Sequence, residues 1–174
     1  MTECALLLTG TVGVGKSTTA DRVADRLQAF CIPHAVIDLD EIRRFWPTPN
    51  GDRFGSEMGL LNLSSLVDNY VAGGAERLVL AGVCETRRDR AAFEAVLGVP
   101  LTVCRLRAQT DTLHARLGDR HVDDESGLEW HLARAGELDG ILDASGVADI
   151  EVAVDGLTRD DVATSVLKAI GWTD

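Results

Sequence analysis

Eight residues near the start of the chain, Gly10-Thr11-Val12-Gly13-Val14-Gly15-Lys16-Ser17, match the spacing G-x-x-x-x-G-K-[ST] in full. These residue types make a phosphate cradle. Glycines let successive backbone N–H groups turn inward around phosphate oxygens. A helix that begins where the loop ends aims its positive end at the same anion. The Lys16 ammonium reaches β- and γ-phosphates, and the Ser17 hydroxyl is a ligand for Mg²⁺. Residues 10–17, with Thr18 on the first helical turn, are therefore the candidate nucleotide contacts. The chain has two lysines, Lys16 and Lys168, against fifteen arginines, so the lysine of this motif does not come from a lysine-rich composition.

A second set of candidates follows an apolar stretch at 34–37. Asp38 and Asp40 are two apart, and in extended chain such residues face the same side. Both carboxylates would aim at the phosphate end of the loop. Mg²⁺ favours carboxylate oxygens, and transfer of a phosphoryl group to an alcohol is helped by a carboxylate that takes the hydroxyl proton. Asp38 is assigned to the metal and Asp40 to the acceptor hydroxyl. The competing reading makes Asp38 a cap of the next turn and Asp40 a solvated helix start. Arg43 and Arg44 are candidates to bind an acidic group of the acceptor, and Phe45 and Trp46 to wall its pocket. Further on, Gly82 would let a ligand approach the backbone, Glu85 would hold a hydroxyl or ammonium, and Arg87 or Arg88 an anion. Arg116 and Arg120 are four apart and share a helix face. They lead into a polar segment, 118–126, read as a flap that brings arginines over the phosphates and excludes water. The acidic run from His121 to Glu125 reads as part of that solvated flap rather than as a metal site.

The elements that must position these groups alternate. Apolar runs at 5–9, 34–37, 78–83, 101–106 and 150–154 read as strands. Helical spacing covers 16–30, a short helix at 41–46 stopped by Pro47, 55–73, 89–97, 110–117 and the stretch from Leu128 to Leu142. A last helix opens at Thr158 with a capping-box pattern that has Asp161 in place of Glu, and ends at Gly171. The segment 48–55 reads as a loop. Strands alternating with helices predict a parallel sheet covered on both faces, with ligands at the carboxyl ends of the strands.

The totals bound the partners. At 174 residues the chain is most simply one domain, 1–174. The net charge of −11 argues against a nucleic-acid surface. Cys4, Cys31, Cys84 and Cys104 lack C-x-x-C spacing and read as small hydrophobes. Neither a leader nor a membrane-spanning run is expected, which makes the cytoplasm the expected compartment, and the expected state is a monomer or homodimer.

Taken together, these residues resemble a small P-loop kinase of the nucleoside-monophosphate-kinase type, in the patterns of adenylylsulfate kinase, gluconate kinase, shikimate kinase and chloramphenicol phosphotransferase. The resemblance rests on the Walker A loop Gly10 to Ser17, on Asp38-x-Asp40 after the second strand, and on Arg116 with Arg120. It implies an α/β, three-layer P-loop fold with a five-stranded parallel sheet in order 2-3-1-4-5 and a lid at about 114–136. It implies ATP and Mg²⁺, with Asp38 near the metal and Asp40 at the acceptor hydroxyl. It also implies that adenine lies between the lid arginine, Arg116, and the loop at 155–157 that contains Gly156. Leu39 and Glu41 stand where adenylylsulfate kinases have glycine and asparagine, and Gly82 is alone where shikimate kinases have three glycines. The expected function is ATP-dependent transfer of the γ-phosphoryl group to a hydroxyl of a small metabolite or natural product. The alternative is a regulatory ATPase or GTPase with no small acceptor. It is disfavoured by the lid arginines, and for GTP by the lack of an N-K-x-D guanine reader. A kinase acting on RNA is disfavoured by the acidic charge.

Overall fold

The computed structural model describes residues 2–48, 51–52 and 54–173. Five parallel strands form one sheet: β1 (Cys4–Thr9), β2 (His34–Asp38), β3 (Arg77–Ala81), β4 (Leu101–Arg107) and β5 (Ile150–Ala153). Their order is β2-β3-β1-β4-β5, as expected. β1 pairs with β3 and β4 and runs through the middle, with Leu6, Leu7 and Leu8 fully buried. Alternate side chains of a strand point to opposite faces, and the two halves of the core divide accordingly. Ala5 and Leu7 pack with Leu63, Val67, Leu97, Leu138 and Leu142. Leu6 and Leu8 pack with Val23, Leu27, Leu113, Val162 and Val166.

The helices supplying those residues are α1 (Lys16–Ala29), α2 (Leu39–Ile42), α3 (Ser56–Ala72), α4 (Arg87–Leu97), α5 (Thr110–Arg120), α6 (Glu125–Ser145) and α7 (Arg159–Ala169). Helices α3, α4 and α6 cover one face, while α1, α5 and α7 cover the other. None of the helices in the described residues is long and apolar enough to cross a membrane. Thr158 and Asp161 form the capping box their spacing suggests, and Thr86 with Asp89 forms a second one at the start of α4. The shorter Asp suffices in both because its carboxylate bonds back to the cap N–H.

Two local expectations are corrected. The helix read over 41–46 instead spans Leu39–Ile42. The Asp38 carboxylate accepts the N–H of Asp40 at 2.9 Å, so the helix starts earlier, and Arg43 already closes it. The polar segment 118–126 contains no long irregular flap. α5 runs on to Arg120, and α6 begins at Glu125 with Asp124 as its cap, accepting from the N–H of Gly127 at 2.9 Å. Of the loop read over 48–55, residues 49, 50 and 53 lie outside the described residues.

Candidate active site

The carboxyl ends of β1, β2 and β3 open onto a cleft of about 1510 Å³. Residues Val12 to Thr18 of the loop after β1 line its floor. Gly10, Gly13 and Gly15 all take positive φ, and two of them show why the loop needs glycine. Gly10 has φ 142°, and a Cβ there would stand 2.5 Å from the Leu106 carbonyl oxygen. Gly15 has φ 103° and caps α1, so the first N–H groups of that helix face the cleft without a side-chain cap. That is the arrangement an anion completes.

Lys16 folds back over the loop, and its ammonium donates to the carbonyls of Gly10 and Thr11 at 3.1 Å each. Burial pushes this ammonium down to about 8, against the pull of the Asp40 and Asp38 carboxylates. Arg43 and Arg120 add to the depression, so these charges look onto the same space. Thr11 faces the other way. Its hydroxyl donates to the Ala135 carbonyl at 2.7 Å and ties the loop to α6.

Asp38 ends β2, and the Ser17 hydroxyl donates to its Oδ2 at 2.6 Å. Two hard oxygen ligands thus stand together at the start of α1, a donor set that fits Mg²⁺. Asp38 also caps α2, so the capping and metal readings of this residue are compatible. Asp40 lines the cleft, and Arg43 Nη2 donates to its carboxylate. Arg44 also lines the cleft but pairs with Glu41 at 2.9 Å. Phe45 and Trp46 do not line it. They are exposed, Trp46 to 88%, because α2 stops before them. An apolar wall made from these two is corrected to one containing Phe54, Leu60, Val83, Phe93 and Trp130.

Gly82 is corrected as well. Its open side faces Leu39, not the cleft: a Cβ would stand 2.7 Å from Leu39 Cβ and Cδ1. The glycine leaves room for the buried leucine between the two aspartates. Glu85 does line the cleft, but Arg134 Nη2 donates to its carboxylate, so it is already paired. Arg87 and Arg88 are exposed on the first turn of α4 and lie outside the lining. Arg116 and Arg120 both line the cleft, and Arg116 Nη1 donates to the Val14 carbonyl at 2.9 Å. Gly156 has φ 70° in the turn after β5 but does not line the cleft, whereas its neighbours Leu157 and Thr158 do. The Asp155 carboxylate accepts the N–H of Gln109 at 3.0 Å, fixing that turn to the start of α5. Cys84 is buried, and desolvation raises its thiol to about 12, which leaves it unreactive.

Sequence reasoning missed Arg134. It sits on α6 with its side chain 14% exposed, 5.5 Å over the Phe54 ring, and it also pairs with Glu137 at 2.8 Å. One signal marked it. The spacing of Arg134, Leu138 and Leu142 puts a basic residue on the stripe whose other two members are buried.

No family model matches the chain, and no curated protein matches it in sequence. Solved structures do. The tunicamycin resistance protein of Deinococcus radiodurans is 20% identical over 98% of this chain and 97% of its own, with a TM-score of 0.72. A shikimate kinase from Bacteroides thetaiotaomicron is 17% identical over 97% and 98%, with a TM-score of 0.68. The APS kinase of Mycobacterium tuberculosis, solved with AMPPNP and APS, is 22% identical over 98% of each chain, with a TM-score of 0.64. The central P-loop, the strand order and these full-length superpositions together give the chain the fold of the small P-loop kinases.

Proposed function

We propose that the protein is a kinase that moves the γ-phosphoryl group of ATP to a hydroxyl of a small metabolite or natural product. One observation carries the reading. Lys16 and Ser17 of the loop share a single cleft with Asp40, and the Ser17 hydroxyl bonds Asp38, which caps the short helix α2 on which Asp40 sits. A phosphate cradle alone would serve any nucleotide-binding protein. A carboxylate beside it, facing an apolar chamber, is what an alcohol acceptor needs.

The roles follow from position. The N–H groups of residues 13–17 and the Lys16 ammonium hold the polyphosphate. Ser17 and Asp38 are the residues that would hold Mg²⁺, which when bound offsets the charge of the β- and γ-phosphates. Asp40 takes the proton of the acceptor hydroxyl as its oxygen bonds to the γ-phosphorus and the bond to the bridging oxygen of ADP breaks. The products are ADP and a phosphate monoester, and the proton passes to solvent. Arg116 and Arg120 supply fixed positive charge where negative charge spreads in transfer, so they need little reorganisation. The Arg43 ion pair keeps the Asp40 carboxylate aimed into the cleft. The fold neighbours fit this reading, since APS kinase, shikimate kinase and gluconokinase are among them. A tunicamycin resistance protein is also among them, which is why natural products belong in the acceptor panel.

The test is ADP formation from Mg-ATP in the presence of hydroxylated metabolites, nucleosides and antibiotics. The expected result is acceptor-dependent ADP release that Asp40→Ala reduces by at least about a hundredfold. If no acceptor accelerates ADP formation, or if Asp40→Ala transfers as fast as the parent chain, the reading is wrong.

A further inference from the structure

The charged side chains lining the cleft fall into two groups, and this division bears on the acceptor; the inference rests on the phosphotransfer reading above. On the loop side, four cations lack a carboxylate partner at ion-pair distance among the described residues. Lys16 donates to two backbone carbonyls, Arg116 donates to one, and Arg120 and Arg159 show no hydrogen-bond or ion-pair partner. They are available to phosphate oxygens. On the opposite side, formed by α2, α3, the end of β3 and α6, each described arginine of the lining is matched. Arg43 pairs with Asp40, Arg44 with Glu41, and Arg134 with both Glu85 and Glu137. The acid at the start of α4 is matched too. Asp89 accepts the N–H groups of Glu85 at 3.1 Å and Thr86 at 2.9 Å.

The Glu85–Arg134 pair is central to this side. Its side chains are only 30% and 14% exposed, and the guanidinium lies over the Phe54 ring. An acidic acceptor would have to separate the pair or sit beside an already neutralised arginine, and a half-buried carboxylate left without its partner is unfavourable. An amine would meet the mirror-image obstacle at Glu85. A neutral molecule meets neither. It would find instead the apolar surfaces of Leu60, Val83, Phe93 and Trp130.

We infer that the acceptor is an uncharged hydroxyl compound carrying an apolar portion, and that the Glu85–Arg134 pair is the specificity determinant that turns acids away. Acids are rejected although an arginine is present, because that arginine is neutralised in place. One substitution should therefore convert the preference. Glu85→Gln keeps the shape of the side chain and frees Arg134 Nη2 on the chamber side, while Nη1 stays paired with the more exposed Glu137.

The experiment titrates the full chain, saturated with ADP, with matched probes: shikimate against methyl shikimate, and gluconate against glucitol. The parent chain should bind the neutral member of each pair at least as well as the acid. Glu85→Gln should bind the acids at least about tenfold more tightly than the parent does, and Glu85→Gln with Arg134→Gln should lose that gain. If Glu85→Gln does not fold, Arg134→Gln gives the test with opposite sign. It frees the Glu85 carboxylate and should bind glucosamine at least about tenfold more tightly than the parent does. The inference is overturned if the parent chain prefers the acids, if the gain is missing, or if it persists in the double variant. ADP formation from Mg-ATP with the same probes reports separately on transfer, so failure of the phosphotransfer reading shows as probe binding with no acceptor-dependent ADP release.

Discussion

Ser17 and Asp38 lie on different elements, 21 residues apart, yet the Ser17 hydroxyl stands 2.6 Å from Asp38 Oδ2. The contact joins the first turn of α1 to the end of β2, so the phosphate loop and the acidic turn share one anchor. β2 lies at the sheet edge, two strands from β1, and β3 between them sets the reach that Ser17 must span.

That geometry predicts how the metal requirement changes. Asp38→Asn keeps the cap on Asp40 and removes a charge. It should raise the Mg²⁺ concentration for half-maximal ADP formation at least about tenfold and lower kcat, while metal-free ATP binding changes little. Titration of activity with Mg²⁺ at fixed ATP checks it. An unchanged Mg²⁺ midpoint would remove Asp38 from the metal site.

Lys16 predicts a pH signature. Its folded-state value of about 8 lies below the ordinary 10.5 because burial penalises the charged form. Between those values the unfolded chain holds the proton more tightly than the native one. Stability of the ligand-free protein therefore rises with pH across that window from this group. The buried thiols of Cys84 and Cys104, raised from 9.0 to about 12, act in the opposite direction above pH 9. The difference between the parent chain and Lys16→Met isolates the lysine. It should shift in favour of the parent chain as pH rises from 8 to 10. Polyphosphate binding should restore the full ammonium, so ATP binding at pH 8 should take up about half a proton in the parent chain and none in Lys16→Met. Calorimetry in buffers of different ionisation enthalpy measures this uptake.

The loop and the acidic turn were legible in sequence because each depends on local chemistry, while the strand order came from the resemblance to the small P-loop kinases that those motifs carry. Glycines at positive φ, a lysine with one long reach, and two acids astride one residue leave few alternatives. The side of the cleft opposite the loop was less legible because its logic is non-local. Glu85 and Arg134 are 49 residues apart, and nothing in spacing says that one cancels the other. Phe45 and Trp46 misled for a related reason. Their type suggested a wall, but the Asp38 cap shifts α2 by two residues and ends it before them. Gly82 resembled a ligand-facing glycine because the chain alone does not reveal that Leu39 fills its open side.

Gly82→Ala tests that last point. Its Cβ would overlap Leu39, which is buried and sits between Asp38 and Asp40. The strain should destabilise the fold by about 1–3 kcal/mol and lower kcat by displacing the two acids. Adding Leu39→Ala should recover part of the kcat, because the Cδ1 overlap disappears. A rise in acceptor KM with unchanged melting temperature would show instead that Gly82 faces the ligand.

Arg105 carries the prediction that separates stability from chemistry. Its side chain is 2% exposed, within β4, and donates to Asp139 and Asp143 of α6 at 2.7 Å each, with Glu151 of β5 at 3.4 Å. It therefore clamps α6, the helix that also carries Arg134 and accepts the Thr11 hydroxyl bond. The three acids are about half exposed, so water partly rescues them when the arginine is removed, and the loss is smaller than for fully buried partners. Arg105→Met should destabilise by about 1–3 kcal/mol at neutral pH. The Arg105 guanidinium holds the Asp143 carboxyl below its ordinary 3.8. Its contribution is thus present above that value and is lost as pH falls through the folded-state value. The stability gap between the parent chain and Arg105→Met should narrow below pH 3.8, which denaturant titrations across that range would follow. The affinity for ADP should change little, because Arg105 lies outside the cleft lining. A large loss of ADP affinity without loss of stability would mean that the clamp on α6 shapes the nucleotide site directly.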